Sequence, residues 1–163
     1  MAELTNLESK LGEVLGLAMA AQSATEQVQK LDDLAPDLKP RLEQMHAEAK
    51  ETEERAIEVA GTFEGKKTAI LDEARDVKQK ASEMMSDYLD RAADALDGFE
   101  FLTMAEAGEV GHWEILKTLN ERARNAELQE LCNWAIPIQQ RHFEDVRNGS
   151  LTLAAAEDPN ETS

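Results

Sequence analysis

The sequence predicts an all-α protein, an up-down bundle of four to five long helices. Three observations carry this reading. Apolar residues recur at alternating spacings of three and four along most of the chain, the period of one helix face. Aromatic residues are only 4% of the total while hydrophobic ones reach 42%, so the apolar content comes mainly from Leu, Ala, Val, Ile and Met, the residues of helical seams. No alternating run rich in Val, Ile and Thr marks a strand. With 163 residues the chain can build one domain with a substantial core and is too short for two ordinary ones.

The first helix is predicted from Glu3 to about Leu31, on the stripe Leu4, Leu7, Leu11, Val14, Ala18, Ala21, Thr25 and Val28. The segment DDLAPD ends it, with Pro36 as the breaker. The second stripe runs through Leu38, Leu42, Met45, Ala49, Thr52, Ala56, Val59 and Phe63, and Gly61 and Gly65 loosen its end. The third runs through Ile70, Ala74, Val77, Ala81, Met84, Tyr88, Ala92 and Ala95, with Met84 and Met85 expected in the core and a break at Asp97 and Gly98. The fourth stripe is Phe99, Leu102, Ala105, Glu109, His112, Leu116 and Leu119, and RARN at 122–125 makes a turn. The fifth carries Leu128, Leu131, Ala135, Ile138, His142 and Val146. The bundle is thus expected over residues 1–149, followed by a flexible acidic tail over 150–163 that extends the last helix by a turn or two before fraying.

Seventeen Lys and Arg against 34 Asp and Glu give a formal net charge of −17, which excludes nucleic acid and anionic membranes as natural partners and favours cations. No apolar run approaches the roughly 20 residues of a membrane-spanning helix. The lone Cys132 offers no internal disulfide, and MAELTNLESK lacks the basic region and apolar run of an export signal, so a cytoplasmic protein is expected. Phosphate loops, Cys-x-x-Cys pairs, HExxH and nucleophilic serine contexts are all missing from the sequence.

Chemistry enters where the fourth stripe turns polar. Glu109 and His112 lie three residues apart in EAGEVGHWEILKTL, on one helix face and within the seam. A carboxylate buried in such a stripe costs several kcal/mol unless it is paired or metal-bound. Imidazole nitrogen with carboxylate oxygen is the ligand mix of iron, manganese or zinc. The fifth helix repeats the spacing with Gln139 and His142, the former a poorer ligand. On the second helix Glu48 and Glu53 flank the stripe and complete the candidate metal ligands Glu109, His112, His142, Glu53 and Glu48. The first helix offers only Gln22 and Glu26 beside its stripe. A Glu–His pair hydrogen-bonded without metal accounts for the same pattern.

FLTMAEAGEVGHWEILKTL followed by LCNWAIPIQQRHFEDV resembles the closing helix pair of a ferritin-like protein. LKPRLEQMHAEAKETEERAIEVAGTFEGKK, a long linking segment and EAGEVGHWEILKTL together resemble the stress-associated bacterial ferritin-like proteins of unknown activity, over most of residues 10–146. The resemblance implies two antiparallel helix pairs around a dinuclear iron or manganese site held by Glu and Glu-x-x-His motifs. Glu109 and His112 match one motif, Gln139 and His142 half of the second, and the first helix has no glutamate to match. A mononuclear site, a site completed across a homo-oligomer interface and a bundle without metal therefore stay open. The implied role is metal handling or oxidative-stress protection; the alternative is a non-catalytic helical scaffold or interaction protein with no bound metal.

Overall fold

A computed structural model describes residues 2–90 and 93–162, and among these every regular element is an α-helix. The elements are α1 (Asn6–Gln29), α2 (Lys39–Ala60), α3 (Lys67–Tyr88), α4 (Ala95–Ala123) and α5 (Ala126–Ala155). Helix α1 starts on a reciprocal cap: Glu8 N–H donates to Thr5 Oγ1 at 3.2 Å and Thr5 N–H to Glu8 Oε2 at 2.8 Å. Helix α4 starts the same way on Asp94 and Asp97, and its Ala95 N–H also donates to the Asp33 carboxylate at 3.0 Å, tying the α1–α2 loop to the head of α4. The short α4–α5 turn is closed by Asn120, whose side chain bonds both the N–H and the C=O of Asn125, while Asn125 caps α5 through Leu128 N–H.

One of the expected boundaries moves. Asp97 and Gly98 do not break the chain: Asp97 is the third residue of the α4 capping box, and the break lies between Tyr88 and Ala95. Of the third stripe, Ala95 thus belongs to α4, and Ala92 lies outside the described residues. Gly98 serves close approach instead, since a Cβ there would stand 2.9 Å from Leu31 Cδ1 at the end of α1. At the other end of the chain, α5 runs six residues past Gly149, to Ala155, within the turn or two expected, with Ser150 Oγ 3.0 Å from Thr103 Oγ1 on α4.

Cross-helix pairs fix the directions. Gln22 meets Glu53 and Glu26 meets His46, so α1 and α2 are antiparallel. Arg41 with Asp145 and Glu48 with His142 set α2 antiparallel to α5. Helices α4 and α5, and α1 and α4, are antiparallel as well, so α1, α2, α5 and α4 close an up-down ring. Helix α3 lies outside that ring on α1 and parallel to it, Gly12 facing Ile70 and Glu73 while Gly16 faces Ala74 and Val77. A Cβ on Gly16 would sit 2.4 Å from the Ala74 carbonyl oxygen. The two glycines therefore set how closely α3 approaches. Helix α1, touching α2, α3 and α4, is the hub of the molecule, which is why its buried face is wider than the single stripe seen in the sequence.

Two apolar cores lie one above the other, within the ring and beneath α3. The lower contains Leu11, Leu15, Ile70, Trp113, Leu116 and Leu128; the upper contains Val28, Leu42, Met45, Phe99, Leu102 and Val146. Met85 belongs to the upper core but its neighbour Met84 is 51% exposed, so only one of the two methionines expected in the core is there. The indole N–H of the fully buried Trp113 has no hydrogen-bond partner among the described residues.

Gly16→Ala should destabilise the fold by about 1–3 kcal/mol, because the added methyl overpacks the α1–α3 crossing. Gly111→Ala, where a Cβ meets nothing within 4 Å, should instead gain up to about 1 kcal/mol of helix propensity. Thermal melting of the two variants tests the pair, and the shifts should have opposite signs.

Candidate functional site

Between the two apolar cores the ring is polar. Glu106 and Glu109 project from α4, Gln139 and His142 from α5, and all four are at most 3% exposed. Both pairs are spaced by three residues, and because the helices are antiparallel the pairs interlock. With the Gln139 amide oriented to donate, its nitrogen lies 3.1 Å from Glu106 Oε2 and 2.8 Å from Glu109 Oε2.

His142 continues the layer toward α2. Its Nε2 is 3.2 Å from Glu48 Oε1, and Arg141 holds the other oxygen of Glu48. Its Nδ1 faces Glu106 Oε2 at 3.8 Å, beyond hydrogen-bond length. Thr25 and Thr52 bury their hydroxyls in the same layer and satisfy them on carbonyls of their own helices, Ala21 and Glu48.

Burial dominates the electrostatics. It pushes the Glu106 carboxyl up to about 8, and it raises Glu109 well above the ordinary carboxyl range, with the neighbouring Glu106 adding to the rise. The two therefore sit in the layer largely as uncharged acids at neutral pH. His142 is lowered, first by burial and further by Arg141, against the opposing pull of Glu48 and Asp145. A neutral imidazole carries one N–H, and Glu48 on the Nε2 side places it there.

The structure brings Glu109, His142 and Glu48 into this layer. It separates the other two predicted ligands from it. His112 is turned toward α1, with Nδ1 3.2 Å from Glu13 Oε2 and 3.4 Å from Lys10 Nζ, its side chain 39% exposed. The buried seam of α4 is Leu102, Glu106, Glu109, Trp113, Leu116 and Asn120, so Trp113 occupies the seam position expected for His112, and Glu106 the one expected for Ala105. Glu53 pairs with Gln22 on α1. Sequence reasoning thus missed Glu106. Its signal is the unbroken four-three-four spacing of the seam and the E-x-x-E of α4 facing the Q-x-x-H of α5.

As arranged, the donors do not fit a metal ion. The Gln139 amide nitrogen, which is no ligand, stands between the two carboxyls, and both nitrogens of His142 face carboxyl oxygens of the chain itself. Among the described residues no three His, Cys, Asp or Glu side chains are gathered as a set that would hold one.

Beside the layer lies a cleft of about 180 Å³, between α1, α3 and α4, with Glu106 and Glu109 in its lining. Leu17 and three alanines of α1 form one wall, Ala81, Met84 and Met85 of α3 the other. Fold and site define an all-helical five-helix bundle with a buried acidic layer and a lateral cleft. No protein-family model matches the chain, and neither a curated protein nor a solved structure matches it. None of the helices is long and apolar enough to cross a membrane among the described residues.

The raised carboxyls bind protons in the folded protein that the unfolded chain has already lost, so they contribute stability below the ordinary carboxyl range that is lost as pH rises, for Glu106 through about 8. His142, being lowered, works the other way and costs stability as pH falls below its ordinary 6.5. Between pH 6.5 and pH 8 only the carboxyl effect remains, so unfolding free energy from urea titrations should fall with rising pH. The slope should approach roughly 1 kcal/mol per pH unit for each carboxyl. Glu106→Gln should remove its share; a flat profile in the parent protein would show that the acids are charged.

Proposed function

We propose that the protein is a non-catalytic ligand-binding bundle of ferritin-like layout, in which the acidic layer forms the floor of a site for a small molecule. The observation that carries this is the coincidence of Glu106 and Glu109 with the lining of the cleft between α1, α3 and α4. Two buried acids facing only their own partners would be a structural device. Two that also line an opening over apolar walls have the make-up of a small-molecule pocket, a few polar groups in an apolar surround.

The ferritin-like reading is supported by layout. Four helices form an antiparallel ring, one long helical crossover joins its halves, and the polar residues lie at mid-height, the arrangement in which such bundles build interior sites. Metal handling with iron, manganese or zinc, and the homo-oligomer that accompanies it, form a second reading. It is favoured by one observation, that His142 lies between carboxyl groups of two different helices, Glu48 and Glu106. Rotation of those side chains would be needed to gather them on one ion.

Thermal melting separates the two readings. Added 1-hexanol should raise the melting temperature of the parent protein by mass action on the folded state. That shift should vanish in Gly108→Leu, where the new side chain enters open space at the rim of the cleft. Added iron(II), manganese(II) or zinc should leave the melting temperature unchanged. A metal-dependent rise that disappears in His142→Ala would establish the second reading instead.

A further inference from the structure

We propose that the cleft binds a small amphipathic amine, its ammonium group set against the Glu106–Glu109 acid pair and its apolar part lying between the alanines of α1 and the methionines of α3. The inference rests on the ligand-binding reading above and names the class of ligand.

Size comes first. A volume of about 180 Å³ is comparable with the ~150 Å³ apolar cavity that takes up benzene, so the site suits a body of about six to eight carbons. The walls suit an apolar body, since Ala20, Ala21 and Ala24 are small and Met84 and Met85 are adaptable. Met84 and Met104 are 51% and 41% exposed at the rim. Covering them is a gain that the free protein lacks.

Charge decides the head group. The ionisable side chains in the lining are Glu106, Glu109 and His112, with no lysine or arginine among them. The walls from α1 and α3 contribute no ionisable group, and His112 is engaged by Glu13 and Lys10. From α5 the pair faces Gln139 and His142, and Glu48 of α2 reaches it only through His142. The acid pair is thus a site for positive charge with no fixed cation of its own. An anionic head finds no group of opposite charge there, and a neutral one would leave the pair unchanged.

Calorimetric titration of the full chain at pH 7 tests the inference, with hexylamine, 1-hexanol and hexanoate as probes of one size and three charges. Hexylamine should bind on the order of tenfold or more tightly than 1-hexanol, and hexanoate should not bind. Glu109→Gln should bring hexylamine down to the level of 1-hexanol; retained 1-hexanol binding shows that the variant is folded with its cleft intact. Equal affinity for hexylamine and 1-hexanol, both lost in Gly108→Leu, would overturn the amine class and leave the ligand-binding reading standing. If neither probe binds, that reading fails with it. Hexylamine binding that survives Gly108→Leu would belong to the acidic exterior and overturn the site.

Discussion

Two carboxyl groups are held out of water in the middle of this bundle, and the rest of the structure is arranged around making that tolerable. Burying a carboxylate without a partner costs several kcal/mol, and the chain meets the cost by keeping Glu106 and Glu109 largely protonated and placing one amide between them. Gln139 is suited to this because its two N–H groups point in diverging directions. A glutamate there would bring a third acid into the layer. The interlock fixes the register of α4 against α5. That register in turn places Phe99 against Gly149, where a Cβ would come within 2.4 Å of the ring.

The same layer orders the other two helices of the ring. Glu48 is shared between Arg141 and His142, so α2 is fixed to α5 by a charged contact with one exposed and one buried partner. Polar groups of this kind specify an arrangement more than they stabilise it, since each has only one geometry in which it is satisfied. The apolar cores above and below supply the burial that holds the helices together. Dividing the interior in this way gives the bundle one alignment in which both cores are dry and every carboxyl of the layer has a neighbour.

Much of the fold was legible because helices write their faces into sequence at a fixed period. The stripes of α1 and α2 fall on buried residues, from Leu11 to Val28 and from Leu42 to Ala56. Where the reading slipped, it slipped by one residue. Ala105 and Ile138 are apolar where their neighbours Glu106 and Gln139 are the buried ones, and a seam drawn through apolar residues takes in His112 instead of Trp113. The rule that apolar residues define the seam fails where the interior is polar, so the candidate site was the least readable stretch of its own helices. Glu109, His142 and Glu48 were recognisable as unusual. That they meet an amide rather than one another was not, because the partners of a buried acid depend on which helices become neighbours. The expected break at Gly98 failed for a related reason, as a glycine that admits α1 looks the same in sequence as one that ends a helix.

Helix α3 has a consequence of another kind. Helices α2 and α4 run in the same direction, so a chain leaving α2 at one end of the ring must return to the other before α4 can begin. The 22 residues of α3 supply about 33 Å of climb, and the climb is made on the outside of α1 because the ring is already full. The cleft is the gap left between this connecting stroke and the body it bypasses. Its floor is fixed by the interlock of α4 with α5, whereas its outer wall stands on a helix that the four-helix ring does not need for closure. One half of the cavity is therefore bound to the register of the ring, while the other belongs to the connection between its halves.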